Sequence, residues 1–224
     1  YQQYYHTRDD LCFLLPPNIN KSRFEPIVDQ QVKLNIKQEI SKSLHIPDNT
    51  YWLLMVGSGF RTKGVDRSIY LLKYLAEKNI AANLIIIGQD DPSTFFKLAK
   101  KLVVQNRIKI LPGRDDIAKF MAVADVLLHP AYRENTGTVI LESIIMGLPV
   151  VASGICGYAH HINNSGCGLV IPEPFNQNIF NTSIYKLLED NHLKASMSHK
   201  GLEYRNTADI YNSDNKILEL IECQ

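Results

Sequence analysis

The chain has 224 residues, of which 45% are hydrophobic and 21% are charged, a balance typical of globular proteins. Its 24 Lys and Arg residues against 23 Asp and Glu residues give a formal net charge of +1, which argues against a protein that neutralises many phosphates. We therefore expect no nucleic-acid partner, and no apolar run approaches the roughly 20 residues that span a bilayer.

The N-terminal sequence and the cysteines indicate the compartment. The segment YQQYYHTRDD does not have the pattern of a signal peptide, and the cysteines at positions 12, 156, 167 and 223 form no CxxC pair. We therefore expect a cytoplasmic protein with reduced thiols and no zinc site. The chain begins with Tyr rather than Met, so we expect it to be a fragment of a longer protein.

The segment before Tyr51 has a different pattern from the rest of the chain. Pro16 and Pro17 stiffen the short segment CFLLPPNIN, and a polar helix is predicted over residues 27–44. From Tyr51 onward, nearly continuous apolar runs of strand length alternate with longer helical patterns.

The predicted strands are YWLLMVG, NLIIIG, RIKIL, DVLLHP, PVVAS and GLVIP. The predicted helices cover about residues 65–78, 92–104, 117–124, 136–146, 157–163, 178–190, 193–204 and 209–222. Strands that alternate with helices indicate βαβ units, and strands that are apolar on both faces indicate a sheet covered on both sides. The fold class is therefore α/β with a doubly wound parallel sheet.

The connection after the first predicted strand reads GSGFRTKGVDRS and is rich in small and basic residues. Gly57 and Gly59 allow the backbone to approach a ligand, while Arg61 and Lys63 lie where an anion would meet a helix N-terminus. A diphosphate would suit this position. The alternative is an ordinary exposed loop, since neither GxGxxG nor GxxxxGK[ST] is present.

The segment HPAYRENTGTVILESIIMGLPVVAS carries two carboxylates, Glu134 and Glu142, near a predicted helix that begins at Thr136. Eight helical residues span about 12 Å, which exceeds the roughly 5–9.5 Å of a glycosidase pair. We interpret Glu134 as a hexose ligand and Glu142 as a ribose ligand. Free N–H groups around Gly137 and Thr138 would hold a pyrophosphate between them. The alternative is that Glu134 merely caps the helix and that Glu142 is a solvated helix residue.

The segment ENTGTVILE has the E-x7-E spacing of the retaining glycosyltransferases of family 4, and HPAY before it and ESIIMGLPVVAS after it resemble that family's donor-binding core. More narrowly, LLPPNI, GVDRSI, GQD, GRDD, HPAY and CGYAHHI resemble the lipopolysaccharide core glucosyltransferases. The resemblance implies the GT-B architecture, in which two Rossmann-like domains face each other across a cleft. This chain would be the C-terminal, donor-binding domain.

The resemblance also implies residue roles and domain bounds. Glu134 and Lys63 would be the catalytic pair, with Glu134 on the transferred sugar and Lys63 on the pyrophosphate. The family's usual Arg, five residues before that Lys, is here Ser58, and Arg61 is the substitute candidate. Gly113 and Arg114 match the loop along the base. The implied donor-binding residues are Gly57, Ser58, Arg61, Lys63, Gly113, Arg114, Glu134, Asn135, Thr136, Gly137, Thr138 and Glu142.

By the same resemblance, residues 1–20 end a missing N-terminal domain and form the linker, residues 21–208 form the donor-binding domain, and residues 209–224 form a helix that crosses back. We expect transfer of a hexose, glucose from UDP-glucose, to a lipopolysaccharide core heptose held by the missing domain. The isolated chain would be inactive. Lys63 and a helix N-terminus would replace a metal. The full-length enzyme is expected in the cytoplasm, with peripheral attachment to the inner membrane left open.

Two other functions remain open from the residues alone. A nucleotide-sugar epimerase can use the same architecture, although no acid/base residue near the sugar is evident. A non-catalytic nucleotide-sugar-binding module would also bind such a donor. His129, His160 and His161 are interpreted as packing residues rather than catalysts.

Overall fold

The computed structural model describes Phe13 and residues 15–222. Cys12, Cys223 and most of the predicted linker over residues 1–20 therefore lie outside the described residues. The helices are α1 (Gln30–Leu44), α2 (Val65–Glu77), α3 (Ser93–Lys101), α4 (Ile117–Val123), α5 (Thr138–Ile145), α6 (Ala159–Ser165), α7 (Gln177–Glu189), α8 (Asn191–Thr207) and α9 (Ser213–Glu222). The strands are β1 (Tyr51–Val56), β2 (Ala82–Ile87), β3 (Ile108–Leu111), β4 (Val126–His129), β5 (Val150–Ser153) and β6 (Gly168–Ile171).

The sheet is parallel throughout and has the order β3-β2-β1-β4-β5-β6. The predicted fold class and all six predicted strands are confirmed, with small differences at the strand ends. The strand order reverses between β1 and β4, and ligands of open α/β sheets bind at the carboxyl ends of the strands beside such a reversal. The connections after β1 and β4 are therefore the place to look for a site.

Helices cover both faces of the sheet, which explains why its strands are apolar on both sides. In β1, Trp52 and Leu54 pack into a core with α1, α4, α5 and α6. Leu53 and Met55, which point the other way because side chains alternate along a strand, pack into a second core with α2, α3 and α7. The site between β1 and β4 therefore rests on a scaffold that is packed from both sides.

Local signals fix the helix ends. The Asp29 side chain accepts hydrogen bonds from the N–H groups of Gln31 and Val32, so α1 begins at Gln30 rather than at the predicted residue 27. Gly147 has φ 69° and follows α5, and a glycine in this left-handed conformation is a common helix terminator.

The terminal helix α9 has an exposed apolar side. Ile217, Leu218 and Ile221 are 38%, 56% and 65% exposed. Among the described residues, no helix is both long enough and apolar enough to cross a membrane.

Candidate functional site

The connections after β1 and β4 are held together by close backbone contacts. Gly64 has φ 75°, and a Cβ atom at this position would lie 2.1 Å from the carbonyl oxygen of Pro130. The N–H of Tyr132 donates to the carbonyl of Thr62 at 2.8 Å, and Arg67 donates to Pro130 at 2.9 Å. Only glycine fits at position 64, because any side chain would push the two loops apart.

This loop contact places Lys63 against Glu134. The Lys63 ammonium pairs with Glu134 Oε2, and His129 Nε2 lies 2.9 Å from the same oxygen. The Lys63, Glu134 and His129 side chains are 23%, 11% and 2% exposed. The structure thus brings together the two residues predicted as a catalytic pair, and it adds a buried histidine.

The electrostatics keep Glu134 ionised. The hydrogen bond with His129 and the hydrogen bond and charge of Lys63 lower the pKa of Glu134 to about 2, although partial burial acts in the opposite direction. A carboxylate that is charged and oriented in this way can accept hydrogen bonds from a pair of sugar hydroxyls.

The N-terminus of α5 lies next to this pair, but the helix begins later than predicted. Gly137 has φ 87° and precedes the first helical residue, Thr138, so Thr136 is not helical. The predicted 12 Å separation between Glu134 and Glu142 assumed a continuous helix and is therefore not supported. The N–H of Ile140 donates to the carbonyl oxygen of Gly137 at 2.8 Å. The N–H groups of the first helical residues have no acceptor within the helix.

The backbone of Asn135 and Thr136 is fixed by the connection after β5. A Cβ atom at Gly157 would lie 2.0 Å from the carbonyl oxygen of Asn135, and the N–H of Tyr158 donates to Thr136 at 2.8 Å. This contact holds the segment between Glu134 and α5 in place, so the orientation of the helix N-terminus relative to Glu134 is set by packing.

Glu142 lies one helical turn into α5 and is partly buried. Burial raises the pKa of its carboxyl group, and the charge of Arg23 opposes that rise. Within the described part of the chain, the Glu142 side chain has no hydrogen bond and no ion pair. Glu142 is thus partly shielded from solvent rather than fully exposed, and its role as a ribose ligand remains a prediction. A buried carboxylate without a partner is costly unless a ligand supplies one.

The loop after β3 lies on the Glu142 side of the site. Arg23 Nη2 is 3.7 Å from Asp115 Oδ1, which connects the N-terminal segment to this loop. Arg114 pairs with Asp116 and lies 4.7 Å from the centre of the Phe120 ring. Gly113 has no atom within 4 Å of an added Cβ. Arg114 is thus held within its own loop, and its predicted role beside the base remains a prediction.

The other predicted residues of the β1 connection take no part in the Lys63–Glu134 ion pair. Gly57 approaches Gly88 so closely that a Cβ on Gly88 would lie 2.4 Å from the Gly57 carbonyl oxygen. The Ser58 hydroxyl accepts from the N–H of Gln89 at 3.0 Å and so ties this loop to the one after β2. Arg61 is exposed and does not contact Lys63 or Glu134. It lines a neighbouring groove instead.

The histidines divide into two groups. His161 Nδ1 lies 2.6 Å from the Tyr204 hydroxyl, and burial, followed by the charge of His160, lowers the pKa of His161 to about 4. This arrangement fits the predicted packing role. His129, in contrast, contacts a site carboxylate, which the sequence interpretation missed. The sequence did offer one signal for this role: His129 is the last residue of β4, and the strand order reverses between β1 and β4. In the described residues, no cluster of three or more His, Cys, Asp or Glu side chains could hold a metal ion.

Comparisons with known proteins identify the family of the chain. The sequence pattern of the family described as glycosyl transferases group 1 matches residues 36–204. The chain is 39% identical over 223 residues to the lipopolysaccharide glucosyltransferase WaaG of Escherichia coli (strain K12), which covers 99% of this chain and 58% of that protein. The chain thus spans somewhat more than half the length of this relative.

Solved structures show the same fold. The crystal structure of WaaG, a glycosyltransferase involved in lipopolysaccharide biosynthesis, superposes with a TM-score of 0.88 at 38% identity, over 98% of this chain and 59% of that one. Anabaena Alr3699/HepE in complex with UDP-glucose superposes with a TM-score of 0.80 at 20% identity, over 97% of this chain and 59% of that one. The six-stranded parallel sheet is therefore the Rossmann-like fold found in GT-B glycosyltransferases.

Proposed function

The chain belongs to the glycosyl transferases of group 1, and on this premise we propose that it forms the half of a retaining hexosyltransferase that binds the nucleotide-sugar donor. The donor is UDP-glucose, and the acceptor is a heptose of the lipopolysaccharide core. The single observation that carries the proposal is the pairing of Lys63 with Glu134 beside the N-terminus of α5.

The positive charge of Lys63 suits the departing diphosphate, and the negative charge of Glu134 suits the sugar hydroxyls. Loss of a nucleoside diphosphate leaves negative charge on the departing oxygens, and catalysis requires positive potential there. Lys63 and the free N–H groups at the start of α5 can supply it. Glu134, freed from Lys63 when the diphosphate arrives, accepts hydrogen bonds from the sugar and keeps its contact with His129.

Glu142 marks the other end of the donor. Its partly buried carboxylate lacks a partner within the described residues, and a ribose diol would provide two hydrogen bonds at once. The loop of Gly113 and Arg114 adjoins this end and would lie along the base. The donor would therefore extend from the loop after β3, across the N-terminus of α5, to Glu134.

The identity of the substrates rests on the relatives. The E. coli protein is named a lipopolysaccharide glucosyltransferase, and the Anabaena protein of the same fold was crystallised with UDP-glucose. Most of the acceptor would occupy a further domain, and the exposed apolar side of α9 supports contact with such a domain. The enzyme would act in the cytoplasm, with peripheral attachment to the inner membrane.

We further propose that the donor binds without a metal ion, because Lys63 and the helix N-terminus supply the positive potential that a metal would provide. Calorimetric titration of the chain with UDP should give the same affinity with excess Mg²⁺ and with EDTA. A large loss of affinity in EDTA would contradict a metal-free site.

The function is tested on the full-length protein that contains this chain, incubated with UDP-glucose labelled in the sugar and a heptosylated core acceptor. The expected product is a glucosylated acceptor, and Glu134→Gln should reduce its formation strongly while Lys101→Gln, on the exposed end of α3, should not. An epimerised UDP-sugar, or binding without turnover, would show that the epimerase or the non-catalytic module is the correct interpretation.

A further inference from the structure

A second groove borders the Lys63 and Glu134 end of the site. It has a volume of about 840 Å³ and lies between the connections after β1, β2 and β4. Thr62 and Arg133, the chain neighbours of Lys63 and Glu134, both line it. The groove is therefore adjacent to the sugar end of the proposed donor.

The groove offers unused hydrogen-bond donors. Arg61 and Arg133 are both exposed, and within the part of the chain that the structure describes neither guanidinium group has a hydrogen bond or an ion pair. Each guanidinium carries five N–H donors in a fixed plane. Their lack of partners is notable because three carboxylates line the same groove.

Those carboxylates are partly engaged and keep acceptor capacity. Asp66 Oδ2 accepts from the Tyr132 hydroxyl at 2.7 Å, whereas its buried Oδ1 atom has no partner. Asp90 accepts from the N–H of Phe60 at 2.8 Å, and Asp91 accepts from that of Ser93 at 2.9 Å. Each carboxylate has about four acceptor positions, so several remain.

An aromatic surface completes the groove. Tyr132 is 47% exposed, and the Arg67 guanidinium lies 3.6 Å from the centre of its ring. Phe95 also lines the groove. Aromatic side chains combined with a few placed polar groups are typical of small-molecule sites.

We propose that this groove binds a saccharide unit of the acceptor, next to the bond that is formed. Sugar hydroxyls both donate and accept hydrogen bonds, and the faces of the ring carry C–H groups that pack on aromatic rings, so a sugar matches every feature of the groove. Three carboxylates disfavour a simple anion, and two arginines disfavour a simple cation. The inference deepens the proposed function and rests on it for the identity of the sugar.

The test is an NMR titration of the ¹⁵N-labelled chain, saturated with UDP, with a methyl heptoside. We expect saturable shifts at Thr94 and Tyr132. The double variant Arg61→Gln/Arg133→Gln should weaken the binding about tenfold or more, since hydrogen bonds from charged groups are lost. The single-charge control Lys101→Gln should leave it unchanged. Asp66→Asn, which keeps the volume of the side chain, should also weaken it.

The arms of the experiment separate the outcomes. Affinity for UDP, measured on the same samples, should be equal in the wild type, Asp66→Asn and the control. Absence of heptoside binding in the wild type, or equal binding by the double variant, would overturn the proposal. Competition of inorganic phosphate with the heptoside for the groove would also overturn it. Loss of UDP binding by the double variant would overturn it too, because that result would assign the arginines to the donor diphosphate. Failure of the wild type to bind UDP at all would instead contradict the proposed function.

Discussion

The ammonium group of Lys63 pairs with Glu134 Oε2, although the two residues are 71 positions apart in the chain. The pairing depends on the contact between the connections after β1 and β4, and it sets one positive and one negative charge against each other within the site. A donor that binds must replace this pair with two contacts of its own, one to the diphosphate and one to the sugar.

Lys63→Ala should weaken the binding of UDP about tenfold or more, because a charge-assisted hydrogen bond to a phosphate is lost. Calorimetric titration measures the change, with Lys101→Ala as a control for the loss of one positive charge. Equal affinities of the two variants for UDP would remove Lys63 from the phosphate site.

Glu134 should contribute to stability in a pH-dependent way. The pKa of Glu134 is lowered from 4.5 to about 2, so its ionised form is favoured in the folded state. Its contribution is fully present above the unfolded value and is lost as the pH falls through the folded value. The free energy of unfolding, measured with urea, should be lower for Glu134→Gln than for the wild type at neutral pH. The difference should shrink as the pH approaches about 3, and a constant difference would contradict this view.

Glu142 should act against stability in the absence of ligand. Burial raises the pKa of its carboxyl group, so ionisation is disfavoured in the folded state. This penalty is absent below the unfolded pKa and complete above the folded one. Glu142→Gln should therefore increase the free energy of unfolding at neutral pH, with no gain at a pH of about 4.

The same substitution should weaken the binding of UDP, because an amide replaces the charged acceptor for the ribose. A gain in stability together with a loss of affinity would be the signature of a binding carboxylate. A variant that binds UDP as well as the wild type would assign Glu142 a role outside the donor site.

Gly64→Ala should destabilise the protein by about 1–3 kcal/mol, through backbone strain and overlap with Pro130. Gly113→Ala is the matched control, because its Cβ meets no atom within 4 Å and its φ is not positive. Urea unfolding compares the two. Similar free energies of unfolding for both variants would show that the loop contact at Gly64 is dispensable.

The sequence predicted the fold well because a doubly wound sheet leaves strong local signals. Each strand is buried on both faces and therefore appears as a continuous apolar run, as in ANLIII of β2. Helix starts were less predictable. Gly137 takes a left-handed conformation, which moved the start of α5 to Thr138, and nothing in the local pattern distinguished this glycine from a helical one.

The site was predictable only in part. Lys63 and Glu134 were identified by spacing and resemblance, but their direct pairing depends on tertiary contacts between two loops. His129 was missed because a histidine that ends an apolar strand is usually a packing residue, and its contact with Glu134 requires the turn at Pro130 to Arg133. The groove lined by Arg61 and Arg133 gathers side chains from three connections, which no single segment reveals.

The most direct test of the account is a crystal structure of the chain with UDP-glucose. We expect the diphosphate against Lys63 and the N–H groups at the start of α5, the ribose hydroxyls on Glu142, and the glucose on Glu134 with the Lys63–Glu134 pair broken. A nucleotide bound elsewhere, or one bound here with Lys63 still paired to Glu134 and Glu142 untouched, would contradict it.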